Sequence, residues 1–261
     1  MHIVVMTKSV PDTASPVTVK ADGTLDWGDK LVVNPWDEYA ITEAILLKGA
    51  HGGKVTVVTV GTEEHADALK HGLAIGCEQA IRVWDDALVG HDSLAYAKVA
   101  AAVLQKLGDV DLVIFGREFA DVASDTHIYQ TARKVGWTLL GAVAKIEALD
   151  ADAGTITVRR LTEQGTLTVT SKLPAVISVL KDINEPKYPT FIGIRKATKA
   201  TIPVWDLAEL GLDGAAVQPK AVVSGHRELP KREGKVEIIE GANAREKAEK
   251  LAEKLLEEKV I

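Results

Sequence analysis

Cysteine is nearly absent from this chain. Cys77 is the one thiol among 261 residues, so neither an internal disulfide nor a thiolate metal cluster can form. That composition suits a reducing compartment, and the expected location is cytoplasmic. Long apolar runs are missing as well. The opening MHIVVMTKSVPD breaks at Lys8 and Pro11, too early for a signal peptide or a membrane span, and no later apolar run is long enough to span. There is no positive excess either: a net charge of −6 argues against general nucleic-acid binding, though not against a local basic patch. The familiar signatures fail too. GxGxxG, GxxxxGK(S/T) and GxSxG do not occur, and the histidines at 2, 51, 65, 71, 91, 127 and 226 lack the HExxH spacing of a zinc site. Cys77, in AIGCEQ, reads as a small buried thiol.

What remains is an apolar fraction of 46% and a charged fraction of 26%, enough for a large core in a globular domain. Uniformly apolar, β-branched runs at 2–7, 54–60, 80–84 and 111–115 predict strands covered on both faces. Between them, 36–49, 62–75 and 91–107 carry apolar residues at helical spacing. This alternation predicts a doubly wound, mainly parallel α/β sheet. From about residue 142 the pattern changes to short alternating strands, with TITVRRLTEQGTLTVT reading as a hairpin. The stretch 142–180 is therefore expected to extend the sheet in antiparallel fashion. Residues 206–235 have little pattern and are expected to run extended over a surface. Asn243 to Glu246 matches a helix-start capping box, followed by a narrow apolar stripe of Ala244, Ala248, Leu251 and Leu255.

In an open parallel sheet, ligands bind outside the carboxyl ends of the strands. Thr7–Asp12, Asn34–Asp37, Val60–Gly61 and the loop GREFADVASDTH (116–127) fall at such positions. Gly116 would let the backbone turn closely. Ser124, Asp125 and Thr126 precede a predicted helix over 128–135, where free N–H groups and hydroxyls suit a phosphate and equally suit a plain cap. Asn34 could bond a base or ribose, and His127 could donate to a phosphate. No catalytic constellation emerges, so the residues alone suggest a nucleotide-binding domain without an active site of its own.

Five stretches together, KSVPDT (8–13), NPWDEYAITEA (34–44), DLVIFGREFAD (111–121), LPAVISV (173–179) and INEPKYPTFIGIRKATK (183–199), resemble the β subunit of electron transfer flavoproteins over about residues 1–210. The resemblance implies a nucleotide-binding α/β domain over 1–210, with a recognition loop at about 179–201. An extended arm and C-terminal helix, 211–261, would pack on an α subunit. It implies a heterodimer sharing one FAD with that subunit, and AMP in the crevice, or a second FAD in an electron-bifurcating, NADH-dependent variant. The nucleotide contacts would be Met6, Asn34, Pro35, Trp36, Asp37, Val60, Gly116, Arg117, Glu118, Phe119, Ala120, Asp121, Val122, Ala123, Ser124, Asp125, Thr126 and His127, with Thr13 near the flavin. The chain departs from the family's loop, with Val122-Ala123-Ser124-Asp125-Thr126-His127 in place of its usual acidic, Asn, Gln and Thr residues.

The resemblance also implies a carrier rather than an enzyme. It would take electrons from an acyl-CoA dehydrogenase-type donor and pass them to a membrane quinone oxidoreductase, without entering the membrane itself. Phe191 would anchor the donor beside Tyr188 and Ile192, with Lys181, Lys187, Arg195, Lys196 and Lys199 steering toward an acidic partner. A stand-alone nucleotide-binding stress-type protein is the remote alternative.

Overall fold

The computed structural model describes residues 1–230, 234 and 236–261. In chain order the elements are β1 (His2–Met6), β2 (Ser9–Pro11), β3 (Thr18–Val19), β4 (Leu25–Asp26), β5 (Leu31–Val33), α1 (Pro35–His51), β6 (Lys54–Val60), α2 (Ala66–Ile75), β7 (Gln79–Val83) and α3 (Ser93–Leu107). Then come β8 (Leu112–Phe115), α4 (Thr126–Val135), β9 (Thr138–Asp150), β10 (Thr155–Thr162), β11 (Gly165–Lys172), β12 (Ala175–Val179), α5 (Phe191–Thr198), β13 (Val204–Trp205) and α6 (Ala244–Glu257).

Nine strands form one sheet in the order β11-β10-β9-β12-β8-β1-β6-β7-β13. From β1 the chain steps outward to β6 and β7, then crosses back to place β8 on the other side of β1. Strand order therefore reverses between β1 and β8, and a crevice opens at their carboxyl ends. Alternation along β1 sorts the two layers: Ile3 and Val5 pack with α1 and α2, while Val4 and Met6 pack with α3 and α4. Burial on both faces explains why these strands read as continuous apolar runs.

The antiparallel extension is confined to β10 and β11. β12, expected to share it, instead lies parallel between β8 and the first half of β9. Its five buried residues are those of an interior strand. Residues 206–217 also depart from expectation, because Leu207, Leu210 and Val217 are buried in the α3 layer. Isolated apolar residues in an irregular stretch leave no periodic signal. The remainder of the expected 206–235 segment includes 231–233 and 235, which lie outside the described residues.

The chain divides into two compact units, Met1–His226 and Arg227–Ile261. In the second unit Asn243 Oδ1 accepts from the Glu246 N–H at 3.0 Å, starting α6 as the capping box predicts. The Glu246 carboxylate reaches back to the N–H of Ala242, one residue before the cap, at 2.9 Å.

Candidate functional site

The crevice is built around the first turn of α1. Pro35 occupies the first helical position, where its missing N–H costs nothing, and Asp37 and Glu38 add acidic charge to that turn. This turn rests directly on the end of β8. A Cβ on Gly116 would stand 2.5 Å from Asp37 Oδ1 and 2.6 Å from the Trp36 carbonyl carbon, so only glycine permits the approach.

Asn34 is fully buried, and its side chain is spent holding the loop. Nδ2 donates to Asp37 Oδ1 at 2.8 Å and to the Glu118 carbonyl at 2.9 Å, and Oδ1 accepts from the Ala120 N–H at 3.2 Å. Asp37 is also buried and accepts from the Lys8 N–H at 3.0 Å. Burial raises its carboxyl from 3.8 to about 7, against the lowering effect of the Asn34 amide and the Lys8 N–H.

The loop after β8 turns back on itself. The Phe119 N–H donates to the Ser124 carbonyl at 3.1 Å, and Ala123 at its tip has a φ of 45°. This geometry drives Phe119 inward. Its ring stacks on His127 with centroids 3.9 Å apart and planes 5° from parallel. Tyr96 meets both rings edge-on, at 5.4 Å from Phe119 and 5.2 Å from His127. The Lys8 ammonium lies 5.0 Å from the centre of the Phe119 ring and pairs with Asp121 at 2.5 Å. Burial pulls the His127 imidazole down to about 3, and the Lys8 charge lowers it further, so the ring is neutral near pH 7. His65 and His91 are lowered for the same reasons, burial first.

The structure thus brings the expected nucleotide contacts to one crevice but commits many of them to each other. Met6 and Val60 belong to the same buried apolar cluster as Tyr96 and Phe119. Pro35 and Trp36 are half-buried, and Arg117 lies 5.3 Å over the Trp36 ring. Val122, Ala123 and Thr126 face solvent, with Ser124 and Asp125 between. Ser124 Oγ receives the Thr126 N–H at 3.4 Å, while Asp125, at the cap position of α4, makes no side-chain cap bond. Thr13 is exposed in the loop after β2, where Asp12 pairs with Lys30 at 2.6 Å. Lys8, Tyr96, His65 and His91 were not singled out as site residues. Lys8 alone left a signal, standing just past the first strand's carboxyl end.

The basic segment beyond β12 is not loop throughout. Its first half is tied to α1: Asn184 Nδ2 donates to the Tyr39 carbonyl at 3.1 Å and to Glu43 at 2.8 Å, and the Lys187 N–H donates to Thr42 Oγ1 at 3.0 Å. Its second half is α5, capped by Thr190, whose Oγ1 accepts from the Gly193 N–H at 3.0 Å. A Cβ on Gly193 would lie 2.1 Å from the Ala74 carbonyl oxygen, so glycine seats α5 against α2. With the base fixed, Tyr188, Phe191 and Ile192 project with 92%, 81% and 79% of their surface exposed. Lys181, Lys187, Arg195, Lys196 and Lys199 are exposed around them. Cys77 is buried elsewhere, and burial pushes its thiol up to about 12, leaving it unreactive.

Comparison with known proteins gives the family. The electron transfer flavoprotein domain matches residues 24–210. The chain is 31% identical to the electron transfer flavoprotein subunit beta of Bacillus subtilis (strain 168) over 262 residues, covering 100% of both chains. It is 32% identical to that of Clostridium acetobutylicum over 269 residues, again covering 100% of both. It is 31% identical to the FixA protein of Azorhizobium caulinodans over 221 residues, covering 82% of this chain and 78% of the relative. The chain therefore belongs to the electron transfer flavoprotein family, on its β-subunit branch.

Proposed function

We propose that this chain pairs with an α subunit to hold one FAD, accepts electrons from an acyl-CoA dehydrogenase-type donor and delivers them to a membrane quinone oxidoreductase. The observation that carries the reading is the exposed trio Tyr188, Phe191 and Ile192 on a base fixed by α1 and α2. Three large apolar side chains held in solvent within a cationic rim form a hot spot awaiting a pocket. Fixing them beforehand lowers the entropy lost on docking. The chain's own part is to dock the donor weakly and to shield one side of the flavin. Bound FAD supplies the redox chemistry. Thr13, exposed on a loop braced by the β2–β5 pair, offers a hydroxyl toward it, and α6, with Ala244, Ala248 and Leu251 exposed and Leu255 half-buried, offers an apolar stripe to the α subunit.

At the crevice the residues do not fit an adenine nucleotide as they stand. Asn34 has no free amide hydrogen, Met6 and Val60 are core, and His127 carries no charge for a phosphate.

Stopped-flow reduction of the heterodimer by an acyl-CoA dehydrogenase tests the docking role. Phe191→Ala should slow the bimolecular phase while leaving the flavin content unchanged. An unchanged rate removes Phe191 as the anchor, and a colourless heterodimer removes the carrier reading altogether.

A further inference from the structure

The crevice where the family's second nucleotide was expected is occupied by this chain's own rings. Phe119 and His127, stacked at 3.9 Å, leave no room for a third ring between them, and both are buried, at 6% and 3% exposure. Tyr96 meets both rings edge-on, and Met6 and Val60 lie in the same buried apolar cluster as Tyr96 and Phe119. Lys8, the cation that would meet a phosphate at the end of β1, is neutralised by Asp121. The faces of the two rings are thus turned to each other, and the amide of Asn34 is spent on Asp37, Glu118 and Ala120.

We propose that Phe119 and His127 are specificity-determining residues that plug the β1–β8 crevice, so that the heterodimer carries FAD but neither AMP nor a second flavin. The proposal rests on the carrier reading above, and deepens it by assigning what this crevice rejects. The plug hangs on two devices. Asn34 fastens the loop through Glu118 and Ala120, and the φ of 45° at Ala123 folds the tip so that Phe119 points inward. The Tyr96 hydroxyl, buried without a partner beside the stack, is the polar group an incoming ribose would meet if the rings were removed.

The test is a nucleotide count on the heterodimer purified with its α subunit, followed by equilibrium dialysis with AMP. Acid extraction of the wild type should release FAD and no AMP, and dialysis should show no saturable AMP binding. Phe119→Ala and, separately, His127→Thr should each gain a saturable AMP isotherm, with FAD content and circular dichroism unchanged. His127→Thr removes only half of the stack, and serves if the larger deletion fails to fold. Stoichiometric AMP or a second FAD in the wild type overturns the plug while leaving the carrier reading intact. Variants that fold and still bind no AMP overturn it as well. Absence of any flavin overturns the carrier reading instead.

Discussion

Asn184 donates to Glu43 at 2.8 Å, tying the segment that presents Phe191 to the middle of α1. Glu43 is almost fully buried, and burial raises its carboxyl while the Asn184 amide opposes that shift. Removing the amide leaves the carboxylate unpaired in a poorly solvated place. Asn184→Ala should cost about 1–3 kcal/mol in urea unfolding. It should also slow reduction by the donor, because the base of the docking segment is then loose.

Phe191→Ala should separate these two effects. The side chain is exposed, so unfolding free energy should change by less than about 0.5 kcal/mol. Loss of an anchor residue should nevertheless weaken donor association by about 2 kcal/mol or more in a titration. The wild-type association should weaken as salt rises, since the surrounding cations act at the Debye range.

Gly116→Ala tests the seat of α1 on β8. The new methyl would meet Asp37 and the Trp36 backbone at distances no real Cβ occupies, and neither is a flexible chain end. A loss of about 1–3 kcal/mol or more is expected, read as a lower thermal midpoint.

Asp37 gives a pH signature. Its carboxyl is raised to about 7 in the fold and is ordinary, near 3.8, when unfolded. Between those values the folded state keeps a proton that the unfolded chain has lost. Stability therefore falls as pH rises through the window, and the decline stops above about pH 7, amounting to about 4 kcal/mol at most. Asp37→Asn cannot titrate. The difference between the two stability curves should slope from about pH 4 to about pH 7 and then level off. Parallel curves would refute the assignment.

Much of the sheet was legible. The run at 54–60 is strand β6 residue for residue, and 36–49 lies wholly inside α1, because fully buried strands and long helices write their pattern locally. The crevice segments were legible as positions, since they follow strands. Their state was not. That Asn34 would turn to Asp37 and Glu118, and that Phe119 would fold onto His127, depends on contacts 84 residues apart in one case and on a single backbone torsion at Ala123 in the other. Likewise nothing within AVISV distinguishes an interior parallel strand from an antiparallel one, because sheet order is decided by neighbours far along the chain.

Helix α1 carries the crevice clamp on its first turn and the docking tether two turns later, on one rigid rod. A random-mutagenesis screen scored by electron flux would therefore merge two different lesions into a single phenotype along positions 34–43. Only by scoring AMP uptake and donor affinity separately would such a screen tell a chain that lost its plug from one that lost its grip.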